Sequence, residues 1–228
     1  MTSHAESAFD SPKPAGEVPL VEHEGVSPVL SRRLLDIVAA GFGLLVLALP
    51  MVLVYVLVRR SSPGPGFFSQ VRVGQGGRPF SMYKFRTMRT GVAGGLVTAS
   101  HDPRLTKIGV FLRRTSIDEL PQLWNVLRGD MTLVGVRPET YGLAVLYPQS
   151  RRWVFDHRPG LTGPAQIRFR DFDILGPGEE VDTSVYIDRV VPAREAIDAL
   201  FLRTPTFGAT LRTLFDTVRY FLGLRLSG

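Results

Sequence analysis

Residues 112–138 read LRRTSIDELPQLWNVLRGDMTLVGVRP, and this stretch shapes the interpretation of the whole chain. It contains two adjacent carboxylates, Asp118 and Glu119, called the dyad below, at the predicted start of a helix. Ser116 followed three residues later by Glu119 is the sequence of a capping box. The apolar residues of this helix recur at helical spacing: Leu120, Leu123, Trp124 and Leu127. Gly129 is a good helix stop, so we expect the helix to end just before it.

Basic side chains crowd the same stretch: Arg113, Arg114, Arg128 and Arg137. Carboxylates among cations suit chemistry on a phosphorylated substrate, because one carboxylate can attack or hold a metal while cations neutralise phosphate charge. The positive end of the predicted helix should hold Asp118 ionised, and Asp118, Gln122 and Asn125 should form one polar stripe. A structural interpretation stays open, since acidic residues are common in first helical turns and a capping Glu119 needs no catalytic role.

A long apolar segment, Leu34–Val58, is interrupted by Pro50. At about 1.5 Å per residue, a helix of this length could cross a hydrocarbon core of about 30 Å. Basic residues flank both ends of the segment: Arg32, Arg33, Arg59 and Arg60. Basic flanks mark the cytoplasmic side of a membrane, and each arm beside Pro50 spans about 20 Å or less. Two interpretations stay open: a re-entrant helix that dips into the membrane and returns, or a single-pass anchor with a proline kink.

Composition indicates where the chain works. The 228 residues carry a net charge of +6 and no cysteine, which excludes disulfides and cysteine–zinc sites and fits a reducing compartment. Residues 1–30, with one Lys and five Asp or Glu, carry −4 and leave +10 on residues 31–228. The basic part predicts anionic lipid and phosphate partners, and no nucleic acid, since no nucleic-acid-binding motif is present.

The fold class that these patterns predict is α+β and mostly helical. Three parts are expected: a disordered tail at 1–30, a membrane helix at 31–60 and a catalytic domain at 61–228. Within the domain we expect a β-hairpin at 67–73 and 78–86, and a glycine-rich loop at 91–100. Further helices are predicted at 105–114, 190–202 and 210–224. The last is amphipathic, and its apolar side either packs on the core or lies in the membrane interface.

Several further segments follow one another in a recognisable order. They are Ser62–Pro65 with Phe68, Gln70, Arg72 and Gly74; Tyr83–Met88; Leu112–Pro138; and Arg158–Gln166. In this order they resemble the bacterial sugar transferase family, the monotopic polyprenyl-phosphate phosphoglycosyl transferases. The resemblance covers roughly residues 31–166, and Asp118–Gln122 with Asn125 is its most specific part. It implies the re-entrant form of the membrane helix, joined to a small domain on the cytoplasmic face of the bacterial inner membrane.

The resemblance also implies a reaction. Asp118 would attack the sugar-proximal phosphate of a UDP-sugar and release UMP, leaving a phosphosugar–aspartyl intermediate. Polyprenyl (undecaprenyl) phosphate would then take the phosphosugar, which starts a surface glycan such as exopolysaccharide, lipopolysaccharide or glycoprotein. Glu119 would hold Mg²⁺. A homodimer is a separate expectation, and the sequence does not decide the oligomeric state.

The family's pattern gives roles to further positions. Six residues would bind substrate: Lys84, Arg86, Arg113, Gln122, Arg137 and Arg158. Three would engage the lipid head group: Arg32, Arg33 and Asp36, although Asp36 lies four residues after Arg32 and a local ion pair is the simpler interpretation. The basic residues among the six could instead be solvated surface charge, and Arg86 and Arg137 could form structural ion pairs.

The sequence departs from the family's pattern in three places. Val136 replaces the usual proline before Arg137, residues 167–171 replace a small polar run, and the C-terminal third lacks the usual Tyr- and Asp-containing pattern. The sugar is therefore not carried over. Two other classes stay open: a non-catalytic, membrane-anchored binding or scaffold protein for anionic lipid or polyanions, and a degenerate transferase that binds without turnover.

Overall fold

The computed structural model describes residues 29–90, 102, 104–169 and 183–222. Most of the predicted tail and the glycine-rich loop at 91–100 lie outside these residues. The described helices are α1 (Leu30–Ser61), α2 (Lys107–Thr115), α3 (Gln122–Arg128), α4 (Tyr141–Ala144), α5 (Pro164–Arg168), α6 (Thr183–Val185), α7 (Val191–Arg203) and α8 (Phe207–Phe221). The strands are β1 (Phe67–Val73), β2 (Pro79–Phe85), β3 (Thr132–Val134) and β4 (Gly160–Thr162). The mostly helical α+β prediction is confirmed.

Helix α1 is one element of 32 residues that continues through Pro50. It is long and apolar enough to cross a membrane by length and composition. One side of its middle carries large apolar side chains that are mostly exposed: Leu45 is 77 % exposed and Leu49 is 78 % exposed. The cost of leaving such surface in water is large, so this part of α1 needs an apolar environment.

Both ends of α1 nevertheless pack on the same domain. Near the first turn, Asp36 accepts hydrogen bonds from Thr132 Oγ1 at 2.8 Å and Leu133 N at 2.9 Å. Near the last turn, Val58 is buried in a cluster with Phe85 and Leu112. The helix therefore packs on the domain along one side, which includes Leu44, Leu47 and Val54, and presents the other apolar residues of its middle outward.

The predicted β-hairpin is confirmed. Strands β1 and β2 pair antiparallel from Phe67↔Phe85 to Val73↔Pro79. The connection contains Gly76 at φ 68° and Gly77 at φ 78°, a left-handed backbone that glycine adopts without steric cost. Because side chains alternate along a strand, this register places Arg72, Met82 and Lys84 on one face of the hairpin.

A second sheet was not predicted. Strands β3 and β4 pair in parallel, with Thr132 opposite Gly160 and Val134 opposite Thr162. Each strand has only three residues, which is too short for an alternating pattern to be seen in the sequence. This sheet brings the 158–166 loop beside the segment that follows α3.

The later helices agree with the predictions within a few residues, and α6 continues through a π-helical turn, Tyr186–Val190, into α7. In α8 the buried residues are Thr210 and Thr213, whereas Phe215 is 62 % exposed and Val218 is exposed as well. Leu214 is half-buried against the core. Most of the apolar side of α8 therefore faces outward, which favours the interfacial interpretation over packing on the core.

Candidate active site

The dyad lies in a short 3-10 turn, Ile117–Glu119, between α2 and α3. The predicted capping box is wrong. Ser116 ends α2 in a left-handed conformation at φ 56°, and its side chain caps neither element. Helix α3 begins only at Gln122, after Pro121. A left-handed backbone at a residue other than glycine costs free energy, and such residues are frequent at functional sites.

Asp118 is a buried carboxyl, with only 6 % of its surface exposed. Its pKa is raised to about 6, first by burial and then by the charge of Glu119, while the cations Lys84 and Arg113 oppose the rise. The helix terminus was expected to favour the ionised form of Asp118, but the pKa moves upward because desolvation outweighs the favourable charges. A carboxyl with a pKa near 6 is ionised at neutral pH but destabilised in that form, which makes it reactive.

Glu119 points to the hairpin. Lys84 Nζ donates to Glu119 Oε1 at 2.8 Å, which joins strand β2 to the dyad. Burial lowers the pKa of Lys84, and the charge of Glu119 opposes that effect. The two groups form a partly buried ion pair, so the Lys84 ammonium stays close to both carboxylates of the dyad.

A cavity opens beside this pair. It is lined by Arg72, Met82, Lys84, Glu119, Gln122, Arg137, Pro138, Gly160, Leu161 and Gln166. Three of these residues are cations and one is a carboxylate. Gln122 Nε2 and Arg72 Nε are buried without a hydrogen-bond partner among the described residues. Buried donors without partners cost free energy, so the cavity is suited to an anionic ligand that accepts hydrogen bonds.

The predicted substrate residues divide into two groups. Lys84, Gln122 and Arg137 line the cavity. Arg113 lies nearby: its Nε donates to Thr87 Oγ1 at 2.9 Å, and burial lowers its pKa against the opposing charge of Asp118. These four residues and the dyad come from strand β2, helix α2, the turn, helix α3 and the segment after β3, and the fold brings them together.

Arg86 and Arg158 do not line the cavity. Arg86 is buried at the end of α1, where its Nη2 donates to Ser62 O at 2.7 Å and its Nη1 to Pro63 O. It thereby satisfies carbonyls that a helix end leaves without partners. Arg158 lies close to Arg33, and its Nη2 donates to Gln75 Oε1 at 3.3 Å.

The three predicted lipid-contacting residues serve to dock α1. Arg32 Nη2 donates to Val134 O at 2.7 Å, and Arg33 donates to Val126 O. Arg32 is buried, and Asp36 is 1 % exposed. The structure thus gives Arg32 and Asp36 hydrogen bonds with the domain, and their opposite charges also attract each other. Their contact with a lipid head group stays a prediction.

The dyad fits a magnesium ion by the chemistry of its donors. Mg²⁺ binds through one or two carboxylates and completes its shell with water and substrate phosphates. Glu119 offers such a carboxylate at the cavity, next to Asp118. Among the described residues no cluster of three or more His, Asp or Glu side chains forms an all-protein metal site.

Three residues at or next to the cavity were not identified from the sequence: Arg72, Gln166 and Glu139. Arg72 and Gln166 line the cavity, and Glu139 is a buried carboxylate beside Arg72. The alternation of the hairpin was the available signal for Arg72, because it shares a face with Lys84. Glu139 is placed by contacts distant in sequence, for which the sequence gives no signal.

Comparison with known proteins supports the resemblance. The family profile described as "Bacterial sugar transferase" matches residues 27–223, so the match extends well beyond the 31–166 expected from the motifs. A UDP-glucose:undecaprenyl-phosphate glucose-1-phosphate transferase of Caulobacter vibrioides is 42% identical over 90% of this chain and 73% of that protein. The exopolysaccharide production protein PSS of Rhizobium leguminosarum is 38% identical over 82% of this chain and 92% of that protein.

Other relatives are longer than the matched region. The galactosyl transferase CpsE of Streptococcus agalactiae is 42% identical over 64% of this chain, but the match covers only 36% of CpsE. The family profile itself spans the dyad, the hairpin and the helices α7 and α8. The chain belongs to the bacterial sugar transferase family.

Proposed function

We propose that the protein transfers a phosphosugar from a UDP-sugar to undecaprenyl phosphate, releases UMP, and so starts a surface glycan. The observation that supports this most directly is a buried carboxyl, Asp118, next to Glu119, which lines a cavity with three cations and buried donors without partners among the described residues. The named relatives that use UDP-glucose and undecaprenyl phosphate agree with it.

The chemistry follows from the residues. The ionised Asp118 carboxylate attacks the sugar-proximal phosphorus, and the phosphoanhydride bond breaks with its electron pair leaving on UMP. Undecaprenyl phosphate then attacks the same phosphorus, the aspartyl–phosphorus bond breaks, and the Asp118 carboxylate is regenerated. Two displacements let a soluble and a lipid substrate use one site in turn.

The cations and Glu119 prepare the substrate for attack. Lys84, Arg137 and Arg113 neutralise charge on the diphosphate, which would otherwise repel the Asp118 carboxylate. Gln122 donates a hydrogen bond into the cavity. Glu119 would hold Mg²⁺, which when bound neutralises phosphate charge and favours departure of UMP.

The site must be accessible to a lipid, and the docking of α1 supports a re-entrant arrangement. A straight crossing would place the two ends of α1 on opposite sides of the membrane, about 30 Å or more apart. Residues near both ends contact the same domain. We therefore place the domain on the cytoplasmic face of the bacterial inner membrane, with the outward side of α8 in the interface. A homodimer stays a prediction.

The experiment measures UMP release. The protein, purified in detergent with Mg²⁺, is given a panel of UDP-sugars without acceptor, and release should stop near one equivalent per active site. Asp118→Asn should release none, and mass spectrometry should find the phosphosugar on Asp118 in the wild type. Asp216→Asn, on α8, is the matched control and should behave as the wild type.

The alternative of a non-catalytic scaffold predicts a different result. Polyanion binding would then fall with salt and would not depend on Asp118. Normal turnover with undecaprenyl phosphate by Asp118→Asn would refute the covalent mechanism, and absence of UMP release by the wild type with every UDP-sugar would refute the transferase.

A further inference from the structure

The C-terminal segment reaches the wall of the cavity through a buried tyrosine. Tyr186, in the π-helical turn between α6 and α7, donates its hydroxyl to Glu139 Oε2 at 2.6 Å. Tyr147 donates to the same oxygen at 3.2 Å. Arg194 Nη1 in turn donates to the Tyr186 hydroxyl at 3.0 Å. Burial and then the charge of Glu139 raise the pKa of Tyr186, so its hydroxyl stays a donor.

Glu139 is also the charge partner of Arg72 in the cavity. Its Oε1 accepts from Thr140 N at 3.0 Å and lies 3.9 Å from Arg72 Nη1. Arg72 is held from other sides as well, by Pro138 O at 3.3 Å and Gln70 Oε1 at 2.7 Å. The Arg72–Glu139 pair is thus long, although both groups are largely buried.

The length of this pair has a consequence for binding. A buried carboxylate must be satisfied by hydrogen bonds, and two tyrosine hydroxyls satisfy Oε2 of Glu139. Without the hydrogen bond from the Tyr186 hydroxyl, the Glu139 carboxylate would replace the lost stabilisation by moving towards Arg72 and shortening the ion pair. A tight ion pair would neutralise the guanidinium that the long pair leaves available to the cavity.

We propose that Arg72 binds the anionic part of the substrate and that Tyr186 is a positioning residue, which keeps Arg72 available through Glu139. This inference rests on the proposed function and adds residues to the same site. It gives the C-terminal segment, whose sequence departs from the family's pattern, a direct connection with substrate binding.

Calorimetry with UDP and Mg²⁺ on the full chain tests it without turnover. We expect Arg72→Gln to weaken UDP binding about tenfold and Tyr186→Phe about fivefold, in line with losing one charged or charge-assisted contact. If Tyr186 acts through Arg72, the double variant should bind UDP no more weakly than Arg72→Gln alone. Tyr147→Phe should weaken binding in the same direction and less, since its bond is longer.

A control variant on the same segment distinguishes the positioning of Arg72 by Tyr186 from a general loss of stability in this segment. Glu195 on α7 accepts from Trp153 Nε1 at 2.7 Å and pairs with Arg151, but does not line the cavity. Glu195→Gln should leave UDP binding unchanged even where it lowers the thermal midpoint. If Tyr186→Phe lowers the midpoint no more than Glu195→Gln while only Tyr186→Phe weakens binding, the positioning role holds.

The outcomes that overturn the inference are distinct from failure of the proposed function. Unchanged UDP affinity in Arg72→Gln, fully additive losses in the double variant, or no UDP binding by the wild type would each overturn it. UDP binding that depends on Arg72 and Tyr186, in a chain that releases no UMP, would support the inference and refute the transferase.

Discussion

At the scale of single residues, the burial of Asp118 sets a pH limit on the first chemical step. Its pKa is raised to about 6, and in the proposed mechanism only the ionised form attacks phosphorus. UMP release in a single turnover should therefore fall about tenfold per pH unit below this pKa and level off above it. Rapid-quench measurements without acceptor give this profile. A rate that stays flat down to about pH 4, the ordinary range of a carboxyl, would contradict the assignment.

Lys84, the cation next to the dyad, offers a test of whether the pH profile reports the ionisation of Asp118. Lys84 holds the pKa of Asp118 down against the effect of burial. Lys84→Gln removes that charge, so the acidic limb of the profile should move to higher pH even where the maximal rate also falls. Lys107→Gln, at the start of α2 and outside the cavity, is the matched loss of one positive charge and should leave the limb in place.

The same burial predicts that the nucleophile destabilises the fold at neutral pH. The folded-state pKa is raised from 3.8 to about 6. The protonated carboxyl therefore favours the folded state relative to the ionised one, and this stability is fully present below about pH 4 and is lost as pH rises through 6. Asp118→Asn should therefore raise the free energy of unfolding at pH 8 by about 2–3 kcal/mol. Thermal midpoints at pH 8 and pH 4.5 measure it, and the difference between variant and wild type should fall to about a third at the lower pH. A destabilised Asp118→Asn at pH 8 would count against a desolvated carboxylate.

At the scale of elements, α2 is seated by a close approach to the chain after β2. A Cβ added at Gly109 would lie 2.0 Å from Thr87 O, a backbone atom that cannot move aside cheaply. Gly109→Ala should therefore push α2 away, lower stability by about 2–3 kcal/mol and weaken UMP release, because α2 carries Arg113. Chemical denaturation and single-turnover assays check the two effects.

A second glycine provides the comparison for this prediction. Gly208 in α8 has nothing within 4 Å of an added Cβ. Gly208→Ala should be neutral or stabilising by up to about 1 kcal/mol, since alanine favours the helix. Equal losses in both variants would show that α2 is not held by the contact at Thr87.

Particular elements also show what the sequence can predict. The hairpin, α2, α7 and α8 follow from alternation and helical spacing, and Gly129 ends α3 as expected, at φ 95°. The start of α3 was misplaced because a local pattern cannot show that Ser116 adopts a left-handed backbone. The contacts of Arg86, Asp36 and Glu139 were not predicted because each joins segments distant in sequence, and only the packed chain brings those segments together.

At the scale of the whole molecule, the exposed apolar surfaces and the site have to be compatible. The outward residues in the middle of α1 and the outward side of α8 both favour an apolar environment, whereas the proposed function requires that a soluble nucleotide can reach the cavity. A domain that lies on the membrane, with α1 entering and leaving on the same side, meets both requirements. A single crossing would meet the first only by separating one end of α1 from contacts it makes with the domain.

This arrangement can be tested because the chain has no cysteine, so single cysteines report their own position. Leu30 and Ser61, at the two ends of α1, are both exposed. Leu30→Cys and Ser61→Cys should react with a membrane-impermeant maleimide in inside-out vesicles and be protected in intact spheroplasts. Leu49→Cys, within the apolar surface, should react in neither until detergent is added. Opposite labelling of positions 30 and 61 would establish a single crossing, and the contacts of Asp36 and Val58 with one domain could not then both persist in the membrane.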